Sequence, residues 1–85
     1  MYRVDRANGE VVACQFAIQD NASIGVTLCY PPGEGAKAGA AGDYVLIASS
    51  HRQEAGIFRT NRRTGEMSIC YVRGEQEVVC TPPAK

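Results

Sequence analysis

Cysteines are the residues of this 85-residue chain whose type and spacing most clearly indicate chemistry. There are four of them, an even number and a high density for the length. No two are spaced Cys-x-x-Cys, the pattern typical of zinc knuckles and of thioredoxin-like redox sites. We therefore predict disulfides, an oxidising compartment, no cofactor and no metal. The cysteines are Cys14, Cys29, Cys70 and Cys80.

The only histidine, His51, stands in a short polar stretch with Ser49, Ser50, Arg52 and Glu54. Closeness in sequence does not make a catalytic triad, because a triad needs a rigid scaffold and an oxyanion site. We interpret the stretch as a solvated hairpin turn and keep His51 and Arg52 as candidate interaction residues. With no other catalytic constellation in the chain, we predict that the protein is not an enzyme.

Arginines gather near the ends of two predicted hairpins. An acidic protein surface or another anion could dock there, since arginine makes bidentate contacts with carboxylates. The alternative is ordinary solubility together with cross-strand pairing to Glu10 and Glu66. The arginines are Arg59, Arg62 and Arg63 in one hairpin, and Arg3 and Arg6 in the other.

Charge and hydropathy argue against a nucleic-acid partner and against insertion into a membrane. Nine basic residues balance nine acidic ones, whereas a nucleic-acid binder normally has a basic excess. The longest apolar run, Tyr44 to Ala48, is too short to cross a membrane. Met1 is followed directly by a strand-like segment, so we expect any export leader to lie outside this sequence. We expect a periplasmic or extracellular location and a protein partner, as a homo-oligomer or a subunit of a larger assembly.

The elements that position these residues form an internal repeat. Residues 2–14 (YRVDRANGEVVAC) align without gaps on residues 58–70 (FRTNRRTGEMSIC). A β-rich run ending in cysteine and two prolines follows each copy. The predicted organisation is one domain, 1–85, with repeat 1 over 1–32, a Gly/Ala-rich loop over 33–42, a strand and turn over 43–55, and repeat 2 over 56–83.

Repeat symmetry favours pairing Cys14 with Cys29 and Cys70 with Cys80. Each bridge would close a loop of about 10–15 residues and add about 2–3 kcal/mol. Pairing Cys14 with Cys70 and Cys29 with Cys80 is the next choice. A Cys₄ zinc site and a reactive thiol at Cys70 near Arg73 remain further alternatives.

The two copies together predict the turn. Asn8-Gly9 alone suggests a two-residue hairpin loop, but the equivalent Thr64 is poorly suited to positive φ. We therefore predict four-residue loops, 6–9 and 62–65, in which only the glycine is left-handed. The side chains of Asp5 and Asn61 then bond the N–H groups of their own loops.

This choice sets the strand register and the faces. Val4 then lies opposite Val11, and Thr60 opposite Met67. The cysteines fall on the face opposite the predicted core. That core face carries Tyr2, Val4, Val11 and Ala13 in repeat 1, and Phe58, Met67, Ile69 and Tyr71 in repeat 2.

The remaining segments complete an all-β fold. We expect Pro31 to Gly42 to be a mobile loop, Tyr44 to Ala48 a central strand, and Gln15 to Asn21 the only candidate helix. Six or seven short antiparallel strands then form a small barrel or a two-sheet sandwich, built from two disulfide-stapled repeats.

The repeated unit, Arg-x-[Asp/Asn]-x-x-[Asn/Thr]-Gly-Glu-[Val/Met], resembles the strand–turn–strand element of β-propeller blades, including blades that bind quinone cofactors in bacterial dehydrogenases. It is also similar to a hairpin of small exported bacterial proteins of unknown function, in which a Thr-Gly-x-Val turn precedes two cysteines. Cys14 and Cys70 stand where a blade has its docking tryptophan, so no cofactor or catalytic residue is carried over. The second resemblance implies export.

These observations predict a non-enzymatic exported module that binds a protein or serves as an accessory subunit. The apolar strand from Tyr44 to Ala48 motivates a partner, because a small domain has difficulty covering both of its faces. The alternative is an inhibitor of a secreted or periplasmic hydrolase or protease. Its contact loops would be 49–54 and 31–42, since rigid loops bind with little ordering cost.

Overall fold

The computed structural model describes residues 1–18, 24–48 and 56–85. These residues form seven β-strands and contain no helix, which confirms the all-β prediction. Gln15 to Ala17, expected to start a helix, belong to a strand, and the predicted turn with His51 and Arg52 lies outside the described residues. The strands are β1 (Tyr2–Val4), β2 (Val11–Ala17), β3 (Val26–Tyr30), β4 (Tyr44–Ala48), β5 (Ile57–Asn61), β6 (Met67–Arg73) and β7 (Glu77–Cys80).

The strands form two open antiparallel sheets rather than a closed barrel. The first sheet has the order β1-β2-β3 and the second has the order β4-β5-β6-β7. The prediction that Tyr44–Ala48 is a central strand is therefore wrong, because β4 lies at an edge of the second sheet. Its apolar pattern has another cause: Leu46 packs against the core, while the side chain of Ile47 points outward and is 53% exposed.

Both hairpins have the predicted register. The pairs Tyr2 with Ala13 and Val4 with Val11 recur in the second hairpin as Phe58 with Ile69 and Thr60 with Met67. Equivalent positions of the two aligned segments therefore occupy equivalent places in their hairpins.

The hairpin turns also match the prediction in atomic detail. Gly9 and Gly65 have φ of 78° and 80°, the left-handed conformation that glycine adopts without steric cost. Each glycine N–H donates over 2.8 Å to the C=O of the residue before the loop, which is Asp5 or Asn61. The side-chain oxygens of Asp5 and Asn61 accept an N–H two residues further on, at 2.9 and 3.0 Å.

Two disulfides confirm the predicted pairing. Cys14 bonds Cys29 across β2 and β3, and Cys70 bonds Cys80 across β6 and β7. Each bridge joins residues directly opposite one another in the ladder, with Cα atoms 4.0 Å apart. Because disulfides persist in oxidising compartments, the two bridges indicate a non-cytoplasmic setting.

The core lies between the two sheets and consists of small residues from three sources. The first sheet gives two of them, the loop between the sheets one, and the second sheet three, including a disulfide. They are Val11, Ala13, Ala36, Cys70, Val78 and Cys80.

The predicted core face is right for the first hairpin and wrong for the second. Val11 and Ala13 are buried as expected, with Cys14 on the opposite face. In the second sheet the cysteine face is the buried one, whereas Met67 is 47% exposed and Tyr71 is 40% exposed. The reason lies in β7, which places Val78 and Cys80 beside Cys70 on the side that meets the first sheet.

The Gly/Ala-rich loop was predicted to be mobile, but both of its halves are hydrogen-bonded to other parts of the chain. The loop begins as a short parallel partner of β7, since Gly33 N–H donates to Val78 C=O and Cys80 N–H donates to Glu34 C=O. Ala36, the next apolar residue, is completely buried, and its C=O accepts the Val11 N–H over 2.9 Å. Backbone hydrogen bonds, rather than apolar periodicity, therefore fix this segment.

The second half of the loop lies between the two hairpin turns, and we call residues 39–44 the wedge segment. Its Asp43–Tyr44 peptide unit bonds both turns: Tyr44 N–H donates to Arg6 C=O over 2.9 Å, and Asp43 C=O accepts Arg62 N–H over 2.7 Å. The Asp43 carboxylate also lies 3.4 Å from the Arg6 guanidinium and 3.8 Å from that of Arg62. Equivalent residues of the two hairpins thus hold one peptide unit from opposite sides.

The first turn is further covered by two side chains of the second sheet. A Cβ added at Gly9 would lie 2.8 Å from Tyr44 Cε1, so the ring rests directly on the glycine backbone. Arg59 lies 5.9 Å above the centre of that ring and donates to Gly9 C=O over 2.8 Å. At Gly65 an added Cβ would meet nothing within 4 Å.

This difference predicts unequal effects of the same substitution in the two turns. Gly65→Ala should cost about 1–2 kcal/mol, because only the positive φ opposes the new Cβ. Gly9→Ala should cost about 1–3 kcal/mol more, because the methyl group also displaces Tyr44. Urea unfolding of the two oxidised variants measures the difference. Equal losses of unfolding free energy would show that Tyr44 does not pack on the first turn.

Burial of the sulfur atoms predicts that the two bridges react at different rates. Cys29 is exposed, whereas Cys70 and Cys80 are 0% and 6% exposed. Under mild thiol reduction without denaturant, alkylation of Cys14 and Cys29 should be about tenfold faster or more than alkylation of Cys70 and Cys80, because the second bridge must open first. Peptide mass mapping of timed samples measures both rates. Equal rates, or alkylation without any reductant, would contradict this arrangement.

Candidate functional site

The cysteines carry no thiol chemistry in this structure. All four lie in disulfides, so neither the Cys₄ zinc site nor the reactive thiol at Cys70 is formed. Among residues 1–18, 24–48 and 56–85 no group of His, Cys, Asp and Glu side chains is arranged to hold a metal ion.

The predicted arginine cluster is divided by the fold. Arg62 and Arg63 are exposed in the second turn, while Arg59 points inward from β5. Arg62 pairs with Asp43, as does Arg6, so the predicted pairing with Glu10 and Glu66 is replaced by a shared carboxylate. Arg59 and Arg62 therefore serve contacts within the chain, and Arg63 is directed to solvent.

Arg59 is a structural cation rather than a proton-transfer group. Burial lowers the pKa of its guanidinium, and the nearby Tyr44 partly offsets this. An arginine nevertheless stays protonated in proteins, so its role is to donate. Its donors reach the C=O of Gly9 and, at 3.4 Å, the Oγ of Ser68.

The side of the second sheet that carries Ile47, Met67 and Tyr71 exposes several large apolar side chains, and we call it the outer face. Its side chains come from three adjacent strands at paired positions. Ile47, Met67 and Tyr71 are 53%, 47% and 40% exposed. The outer face consists of Val45, Ile47, Phe58, Thr60, Met67, Ile69 and Tyr71.

An ion pair marks one end of the outer face. Arg73 and Glu77 lie opposite each other on β6 and β7, and the hydrogen bond that the Arg73 guanidinium donates to Glu77 raises the pKa of the guanidinium. The outward-facing positions at which β4, β5 and β6 pair with one another carry no charged side chain, since Arg59 of β5 points inward. The outer face is therefore an uncharged apolar surface with a charged border, a composition typical of protein contacts.

The far end of the first sheet exposes a second group of apolar side chains. Beyond Ala13 the strands β2 and β3 form a two-stranded ribbon, because β1 pairs only with residues 11–13. Phe16, Ile18 and Ile24 are 73%, 76% and 77% exposed there. The Cys14–Cys29 bridge holds the ribbon together at its base. Two-stranded ribbons are marginal alone, so the bridge has a clear structural role.

Comparison with known proteins finds no match for the chain. No family model, curated protein or solved structure matches it. No helix in the described residues is long and apolar enough to cross a membrane. Assignment of function therefore depends on the surfaces described above.

Sequence reasoning found the composition of the outer face but assigned it to the core. Phe58, Met67, Ile69 and Tyr71 were correctly placed on one face, because alternate residues of a strand point to the same side. Alternation does not show which side is buried. Sequence reasoning missed Asp43 and the wedge segment altogether. The signal available was weak: an acidic residue within a Gly/Ala-rich loop, between two arginine-bearing turns.

Proposed function

We propose that this chain is a non-enzymatic, exported protein-binding module, periplasmic or extracellular, whose partner packs on the outer face. The exposure of Ile47, Met67 and Tyr71 on one uncharged surface is the observation that carries the proposal. Large apolar side chains grouped on one face mark contact sites in small proteins, whereas single exposed ones need no explanation.

The scaffold suits this role. The outer face is built on strands, and the Cys70–Cys80 bridge fixes β6 and β7 beneath it. A partner therefore meets a surface whose backbone is already ordered, which lowers the entropic cost of binding. We further propose that the two hairpins are copies of one ancestral unit and that only the second has kept its apolar face open for binding.

Site-specific photo-crosslinking in the cell that produces the protein tests this function. A photoreactive residue replacing Met67 should give an adduct of one defined mass, because the partner covers that position. The matched control carries the same group at Glu75, an exposed position in the β6–β7 turn. The adduct should persist in high salt, since apolar contacts are not screened. It should be lost when Ile47→Asp is added.

The mass of the adduct identifies the kind of assembly. Twice the mass of the chain indicates a homo-oligomer, and any other single mass indicates a subunit of a larger assembly. Absence of an adduct at Met67, or the same adducts from Glu75, would refute the outer face as a binding surface. Circular dichroism of the Ile47→Asp variant shows whether the loss reflects binding or folding.

An inhibitor of a secreted or periplasmic hydrolase or protease is the second candidate, and the exposed Lys37 favours it. The preceding Ala36 is buried and bonded to β2, and the following segment bonds the first turn, so Lys37 stands on a loop held at both ends. Inhibition of a lysine-specific protease that Lys37→Ala abolishes and Ile47→Asp leaves intact would assign this function instead.

A further inference from the structure

In the first hairpin turn, three consecutive backbone carbonyl oxygens accept hydrogen bonds from the wedge segment, and we call these three carbonyl oxygens the acceptor row. The carbonyl oxygens of its first three loop residues accept N–H groups of the wedge segment at 2.9, 3.0 and 2.9 Å. The donors are Tyr44, Gly42 and Gly39, in that order. The wedge segment therefore shows what chemistry this turn binds: a backbone that bends at residues 40–41 between two glycines, an aspartate for the arginine, and an aromatic ring on the turn glycine.

The second turn has an equivalent acceptor row, to which no described backbone N–H is bonded. Among the described residues no N–H donates to the carbonyl oxygens of Arg62, Arg63 or Thr64. All three residues and Gly65 are exposed, and nothing lies within 4 Å of a Cβ built on Gly65. The acceptors are thus open to a segment from outside.

The geometry of the two turns is the same, so the two rows point the same way relative to their hairpins. The turn glycines have φ of 78° and 80°. In each turn the glycine N–H donates the hydrogen bond that closes the loop, over 2.8 Å. The first residue of the strand that follows each turn also donates an equivalent backbone hydrogen bond. Val11 N–H donates to Ala36 C=O over 2.9 Å, and the equivalent Met67 N–H donates to Ala84 C=O over 2.8 Å.

We propose that the second turn, residues 62–65, binds a Gly-x-x-Gly-Asp-aromatic segment of another polypeptide, bent between its two glycines as the wedge segment is. The segment's N–H groups bond the three carbonyl oxygens, its aspartate pairs with Arg63, because Arg62 already pairs with Asp43, and its aromatic ring covers Gly65. The proposal rests on the proposed function only in its general form, protein binding, and does not involve the outer face.

Nuclear magnetic resonance with a peptide of residues 37–46 (KAGAAGDYVL) tests this inference on the full oxidised chain. The peptide should shift the carbonyl ¹³C and amide signals of residues 62–65 and saturate with a dissociation constant of about 1 mM, a value typical of a few hydrogen bonds and one ring contact. A control peptide with alanine in place of the tyrosine should bind at least several-fold more weakly.

A protein variant supplies the second control. Gly65→Ala should lose binding about tenfold or more, because its methyl group occupies the position of the aromatic ring, as a Cβ on Gly9 would meet Tyr44 at 2.8 Å. If that variant proves poorly folded, the comparison of the two peptides on the unaltered protein still decides the matter. Glu75→Ala should leave binding unchanged.

The proposal would be overturned by no shifts at several millimolar peptide, by shifts confined to residues 6–9, or by equal binding of the alanine peptide. Shifts confined to Met67, Ile69 and Tyr71 would also overturn it, while supporting the outer face as the binding surface. Failure of the crosslink at Met67 with peptide binding at 62–65 would instead refute the outer face alone.

Discussion

The peptide unit between Asp43 and Tyr44 is the constraint on which the arrangement of the two hairpins depends, because it bonds Arg6 with its N–H and Arg62 with its C=O. Its backbone hydrogen bonds contribute about 0.5–1.5 kcal/mol each. The two ion pairs of the Asp43 carboxylate add little, since the Arg6 and Arg62 side chains are 71% and 60% exposed. Backbone bonding, with Tyr44 seated on Gly9, therefore joins the halves more than charge does.

One consequence is that two similar hairpins are used differently. The first turn is filled by the wedge segment and by Tyr44, and its hairpin packs Val11 and Ala13 into the core. The second hairpin turns its cysteine face inward, which leaves the outer face and the second turn uncovered. Both proposed binding surfaces thus lie on the second half, at positions whose equivalents in the first half are occupied within the chain.

The parts of this fold that local chemistry determines could be predicted from sequence, and the parts set by distant contacts could not. Comparing Thr64 with Asn8 was enough to identify the loop length, which fixed the register, and repeat symmetry indicated the disulfide pairing. The buried face of the second hairpin depends on Val78 and Cys80, and the wedge segment is held by backbone hydrogen bonds to both turns. Neither of these leaves a periodic signal in the sequence. The sequence therefore predicts which side chains of the second hairpin share a face, but not that this face is exposed.

Amide hydrogen exchange of the oxidised protein tests the central role of the wedge segment most directly. The amides of Gly39, Gly42, Tyr44 and Arg62 should exchange about 100-fold or more slowly than their intrinsic rates, because each donates a backbone hydrogen bond. The exposed Lys37 and Ala38 amides in the same loop are the internal reference. Exchange of all six at intrinsic rates would show a loose Gly/Ala-rich linker and would contradict the account of how the two hairpins are joined.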